Sequence, residues 1–299
     1  MAARTGEPST AVDFHQHLWP DGFRRQLERR TTPPYLRGRS LVLPRGGSFV
    51  VDPDAYAPEA RLAELDQAGL DVAVVSLPPT CEPGPDLVEA WHEEALQLEA
   101  ATGGRLLPLA YGSAEPGFLG AIVSATTLHS SGKLLARLQD RDQLAFVHPC
   151  ASAPQRPAWR TAGVAYPQQM LEAYAWWIAF GAARFPTLRV VFALLGGGAA
   201  FHAERLARRG LDTATAFGPH VWFETSSYGE RAIELSVRTL GADRLLFGSD
   251  APMDRVDTAL EPIRSLGSSL ESAVLRGNPH ELIERGLVVA SGKPAEAAR

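Results

Sequence analysis

Eight short, nearly unbroken apolar runs punctuate the chain, at residues 11–17, 70–77, 106–112, 118–125, 144–148, 188–194, 220–226 and 244–249. Continuous apolar runs of this length are the pattern of parallel strands covered on both faces. Longer stretches with helical spacing lie between most of them, at 58–68, 86–102, 132–140, 167–184, 199–209 and 230–240. Pro58 opens the first of these and Gly69 stops it, while Gly103 and Gly104 end the second. Such placements suit the fixed φ of proline at a helix start and the left-handed freedom of glycine at its end. Only residues 113–117 join the third run to the fourth, too few for a helix, so that crossover is irregular. Eight strand–helix units in about 250 residues predict one α/β domain, a distorted TIM (β/α)8 barrel. The domain is expected over 11–290, with tails at 1–10 and 291–299.

Two segments break the rhythm. Residues 21–53, rich in Arg, Pro and Gly, follow the first strand, and residues 150–166 follow the fifth. Insertions after barrel strands lie on the C-terminal face, where barrel sites are built.

Composition narrows the function. With 45% hydrophobic and 21% charged residues among 299, the chain has the makeup of an ordinary globular protein. A net charge of −5 argues against nucleic acid or an anionic membrane as partner. No apolar run approaches the ~20 residues that span a bilayer, and the N-terminal segment lacks the apolar centre of a signal peptide. Cys81 and Cys150 alone make no disulfide framework, which fits a reducing, cytoplasmic setting.

The strand ends carry the candidate chemistry. In Asp13-Phe14-His15-Gln16-His17 the two histidines are two apart, so on a strand they project to one side. Neutral imidazoles held together suit a divalent cation, although His-x-His alone equally fits a polar strand end. His148 closes the fifth strand and Asp250 follows the eighth. Read singly, His148 suits a structural role and Asp250 a helix N-cap. Read together, three imidazoles and one carboxylate at strand ends of one barrel can meet at a mononuclear metal site with an open position. Glu224 in the seventh strand could accept a hydrogen bond from a ligand imidazole. Trp19 and Trp159, in loops beside that site, are candidates to line a substrate pocket. The glycines Gly196, Gly197 and Gly198 lack the lysine and hydroxyl residue of a phosphate loop and read as a tight strand-to-helix turn.

The segments VDFHQH, FVHP, VVFALLGGGAAFHAERL, FETSSY and LLFGSDAP together resemble the amidohydrolase superfamily. The resemblance lies with the amidohydrolase-related branch that includes aminocarboxymuconate-semialdehyde decarboxylase, and it covers about residues 11–285. It implies a distorted barrel, one divalent metal, usually zinc with manganese as the alternative, and His15, His17, His148 and Asp250 as ligands. It also implies a small-molecule substrate and allows a homodimer. Superfamily members with two metals carry a Lys or Glu on strand 4, and this strand has neither. One departure stands out: the family places a His at the end of strand 6, and the aligned residue here is Leu194. Leucine can neither donate nor accept a proton. His202, eight residues on, is the candidate to replace it, with a surface or capping role as the alternative.

These expectations favour hydrolysis of an amide, lactone or ester by a metal-activated water, with Asp250 moving the proton. Non-oxidative decarboxylation of an aromatic or unsaturated acid is the alternative. A non-catalytic ligand-binding barrel is the third reading, motivated by Leu194.

Overall fold

The structure is a computed structural model, and residues 10–45, 47–151, 159–212 and 218–283 are described. The expected tails lie outside the described residues, apart from Thr10. Eight parallel strands form the barrel: β1 (Val12–His17), β5 (Val72–Ser76), β6 (Leu106–Tyr111), β7 (Gly120–Ser124), β8 (Leu144–His148), β9 (Val190–Phe192), β10 (Val221–Glu224) and β11 (Leu245–Leu246). The remaining three, β2 (Tyr35–Arg37), β3 (Ser40–Val42) and β4 (Ser48–Val50), make a small antiparallel sheet in the first insertion. The barrel order is β1-β5-β6-β7-β8-β9-β10-β11, so each of the eight expected runs supplies one strand in sequence order. Val, Leu, Ala and Phe fill these strands because helices cover one face and the barrel interior the other, and the strands are almost wholly buried.

The ring closes between its first and last members. Phe14 N–H donates to Phe247 O at 2.8 Å, Asp250 N–H to His15 O at 2.9 Å and His17 N–H to Ala251 O at 2.7 Å. Asp13 reinforces this seam. Its Oδ1 accepts the Ser249 N–H at 3.0 Å and the His15 N–H at 3.1 Å. Its Oδ2 accepts from the Ser249 hydroxyl at 2.6 Å and from Gln16 Nε2 at 2.8 Å. Those bonds favour the carboxylate, yet complete burial outweighs them and pushes its pKa up.

Helices Pro58–Ala68, Gly132–Asp140 and Glu230–Leu240 match expectation to the residue, and the second expected helix appears as Pro85–Ala101. Two differ. The 167–184 stretch is a helix over Tyr166–Trp176 and then widens to a π-helical turn at Trp177–Gly181, where a Cβ on Gly181 would stand 2.3 Å from the Trp177 ring. The glycine segment is a left-handed turn: Leu194, Leu195, Gly196, Gly197 and Gly198 have φ of 53, 48, 60, 67 and 87°. A Cβ on Gly197 would sit 2.1 Å from Pro167 O, so the turn lies directly on the helix before it.

Candidate metal centre

The four sequence-predicted ligands converge. One ligand atom from each of His15, His17, His148 and Asp250 lies within 4.8 Å of all the others at the C-terminal mouth of the barrel. Two strands, β1 and β8, and the seam segment after β11 deliver them. A bulge in β1 between Asp13 and Gln16 breaks the ladder with β5 beside the His pair. The imidazole centroids stand 4.9 Å apart for His15–His17, 5.0 Å for His15–His148 and 5.2 Å for His17–His148. Asp250 takes φ of +62°, a left-handed conformation that Asp tolerates better than most residues.

Each imidazole is tied through Nδ1, which leaves Nε2 for the common centre. His15 Nδ1 faces Glu224 Oε1 at 3.2 Å. His17 Nδ1 lies 3.2 Å from Ser76 Oγ and 3.3 Å from Ser76 O. His148 Nδ1 donates to Pro149 O at 2.6 Å. Acceptors on Nδ1 fix the proton there and turn the Nε2 lone pairs inward, the arrangement that ligand histidines need. Asp250 Oδ1 stands 3.1 Å from His17 Nε2 and 3.5 Å from His15 Nε2. His15 Nε2 is nonetheless buried without a hydrogen-bond partner. A buried nitrogen left orphaned among two imidazoles and a carboxylate is the signature of a cation site, and a donor set of three imidazoles and one carboxylate fits a divalent ion.

Charge in the cluster is uneven. Burial opposes the charged form of His15, but Glu224 and Asp250 together overcome it and push the pKa up to about 9. Burial dominates at His17 and His148, with repulsion from His15 added, and both are pushed down. Burial alone would raise the Asp250 pKa, but the neighbouring imidazoles, His15 foremost, hold it below the usual carboxylate value.

Glu224 occupies the place expected of it. It is fully buried, and besides His15 it accepts from Leu194 N–H at 2.6 Å, Ser226 N–H at 2.8 Å and the Ser226 hydroxyl at 2.7 Å. A side chain at Gly248 would meet Glu224 Oε2 at 2.2 Å and His15 Cβ at 2.8 Å, so only glycine leaves room for this pair. Leu194 itself is buried beside the same carboxylate and contributes no titratable group.

The other predicted residues stand elsewhere. His202 is half-buried on its helix, its ring edge-on to the exposed Phe201 at 5.1 Å, and it is not among the four converging groups. Trp19 is buried face to face on Tyr56, centroids 3.9 Å apart, which commits its ring to the core. Trp159 is 65% exposed. Neither tryptophan lines the cavity beside the metal centre. Sequence reading gave no role to Asp13, Ser249, Ser76 or Ser226. The first two were legible in principle, since Asp13 opens the His-x-His segment and Ser249 precedes Asp250. Ser76 and Ser226 lie at strand ends with no distinguishing pattern.

Three histidines and one aspartate that could hold a divalent ion at the mouth of a parallel barrel point to a class of enzymes, and the sequence agrees. Residues 12–284 match the family model described as Amidohydrolase, and the chain belongs to that family. No curated protein matches the sequence. Solved structures share the fold. IDCase of Metarhizium anisopliae in its apo form is 19% identical, with a TM-score of 0.77 over 93% of this chain and 97% of that one. The 5-carboxyvanillate decarboxylase LigW of Sphingomonas paucimobilis is 16% identical, with a TM-score of 0.71 over 92% and 99%. A dihydroxybenzoic acid decarboxylase of Polaromonas sp. JS666, solved with bound manganese and 2-nitroresorcinol, is 15% identical, with a TM-score of 0.64 over 92% and 97%.

Proposed function

We propose that the protein is a metal-dependent, non-oxidative decarboxylase of a small aromatic or unsaturated carboxylic acid. The observation that carries this reading is the convergence of His15, His17, His148 and Asp250 within 4.8 Å, a cluster that no further ligating group joins among the described residues. The similar solved structures add support, since those named above include decarboxylases of aromatic acids. Hydrolysis, the first expectation from sequence, asks for more proton handling: a water to activate and a leaving group to protonate. Decarboxylation asks for one proton delivered to one carbon, which a site with Leu194 in the strand-6 position can meet.

His15, His17, His148 and Asp250 would hold the divalent ion. When bound, the ion supplies positive charge that orients an acidic substrate and draws electron density from its ring or double bond. The chain's own residues do the rest. Glu224, Ser76 and the Pro149 carbonyl keep the imidazoles in register. Asp250, its side chain 20% exposed, can take up a proton from solvent or from the substrate's acidic group. The neighbouring imidazoles hold its pKa below the usual carboxylate value, so it rests ionised and carries a proton only once one is delivered to it. The proton passes to the carbon bearing the carboxylate and is bonded by a π pair of the ring or double bond; the carbon–carboxylate bond then breaks, its electron pair restores the π system, and carbon dioxide leaves. Leu194, whose amide donates to Glu224, adds no acid or base of its own.

The test uses protein loaded with manganese or zinc and a panel of hydroxybenzoates, unsaturated acids and lactones. Carbon dioxide release, with one deuterium in the product in heavy water and no oxygen from labelled water, is the expected result. Oxygen incorporation without carbon dioxide would replace the proposal with hydrolysis. A folded, metal-loaded protein inert on the whole panel would favour a ligand-binding barrel.

A further inference from the structure

A cavity of about 380 Å³ opens at the C-terminal ends of β5, β6, β7 and β8, within the size range of small-molecule sites. It adjoins the imidazole cluster without containing any of its four groups. Ser124, on its wall, is the register partner of His148 on the adjacent strand, and Cys150 follows His148 by two residues. Pro79, Pro83, Val123 and Leu134 supply rigid or branched apolar walls, a surface for a flat carbon skeleton.

Its polar lining is of two kinds. One is a chain of small groups: Ser124 Oγ lies 3.0 Å from Thr126 Oγ1, which lies 3.0 Å from Cys150 Sγ. Either member of each pair can be the donor. The chain can therefore reverse, and presents a hydrogen or a lone pair as the incoming group requires. A hydroxyl, both donor and acceptor, is the group such a chain serves best. Tyr111 adds a phenol whose pKa burial pushes up, so it stays an uncharged O–H. The second kind is ionic. Arg45 and Glu82 are the charged lining residues, and Arg45 Nε stands 2.6 Å from Glu82 Oε1. Each neutralises the other, so among the described residues the cavity offers no uncompensated charge to a second carboxylate or to an ammonium.

We propose that this cavity seats the part of the substrate remote from the metal centre, and that this part is an uncharged, hydroxyl-bearing group. The proposal rests on the reading of the four-residue cluster as the place where the substrate's carboxylate binds.

The test measures binding rather than turnover. Manganese-loaded protein is titrated calorimetrically with benzoate, 3-hydroxybenzoate and isophthalate. The hydroxylated acid should bind about tenfold more tightly than benzoate, the worth of one well-made hydrogen bond. Isophthalate should gain nothing. Thr126→Val, which breaks the chain at its middle, should bring the hydroxybenzoate-to-benzoate ratio close to one. Glu82→Gln, which frees Arg45, should raise isophthalate affinity several-fold relative to benzoate. Equal binding of hydroxybenzoate and benzoate by the unaltered protein, no binding of any of the three, or a ratio untouched by Thr126→Val would overturn the proposal. If Thr126→Val fails to fold, Glu82→Gln decides, and no gain for isophthalate overturns it. These ratios are read whether or not an acid is decarboxylated. Intact ratios without carbon dioxide release count against the decarboxylase reading alone, and turnover with equal binding counts against the cavity alone.

Discussion

At the scale of the residue, Glu224 shows how much of a metal site lies outside its ligands. One buried carboxylate orients His15, accepts the Leu194 amide and holds the Ser226 turn. Glu224→Gln keeps the shape and removes the charge. Manganese or zinc affinity should fall roughly 10–100-fold, read by equilibrium dialysis, and the metal-free protein should melt lower wherever His15 is charged, since its main counter-charge is gone. His15 adds a pH dependence. Its folded pKa, about 9, lies above the ordinary 6.5. The stabilisation from its charged form is therefore complete below about pH 6.5 and is lost as pH rises through 9. His17 and His148 are shifted the other way and cost stability as pH falls below 6.5. The metal-free protein should melt highest near pH 6.5 and lower on either side. A bound metal must displace the proton from His15, so affinity should climb between pH 6.5 and 9 with about one proton released, measured by calorimetry in buffers of different ionisation enthalpy. The four converging groups were legible because each lies at the end of an apolar run. Sequence spacing placed His202 within reach of the Leu194 position; in the structure it is not among the four converging groups, and its ring packs edge-on to Phe201.

At the scale of the element, local pattern found the long units and missed the short ones. The helices over Pro58–Ala68 and Glu230–Leu240 have clear stops in Gly69 and Gly241. The sheet of the first insertion has strands of three residues, too short to show a period. Its one signal was Gly38, with φ of +57°, in the two-residue turn between β2 and β3. The left-handed turn before the His202 helix was legible as glycines, but nothing in the letters announced that Leu194 and Leu195 share its conformation. Non-glycine residues there cost about 1–2 kcal/mol each, a cost that gathers at sites the surrounding structure holds firmly. The turn invites a paired test. Gly197→Ala meets both the backbone cost and a wall of backbone atoms, 2.1 Å to Pro167 O and 2.7 Å to Leu171 N. Gly198→Ala meets open space and only the backbone cost. The first should lower stability by about 2–5 kcal/mol and the second by about 1–2, compared by urea denaturation. Equal losses would show that the turn does not press on the helix Tyr166–Trp176.

At the scale of the whole molecule, the seam between β1 and the segment after β11 is the feature on which the rest depends. Eight apolar runs in sequence order made the barrel legible, because a parallel sheet covered on both faces leaves a strong imprint on composition. The seam was only half legible: Asp13 and Ser249 flank predicted ligands, but nothing in the letters pairs two residues 236 positions apart. Asp13→Ala strands the Ser249 amide and hydroxyl and the Gln16 amide in a buried setting. It should lower the melting temperature and metal affinity together at every pH, where the stability cost of Glu224→Gln should fade as His15 loses its proton above about pH 9. Buried donors left unpaired cost about 1–3 kcal/mol each.

That seam also dictates when the four-residue cluster can assemble. Translation delivers His15 near the start and Asp250 some 235 positions later (250 − 15). Until residue 250 has emerged, a growing polypeptide on the ribosome presents the three imidazoles but no fourth donor, and β1 has no seam partner. The four groups therefore come together only once the barrel's last strand has been made, and a fragment ending before Asp250 would lack the complete donor set.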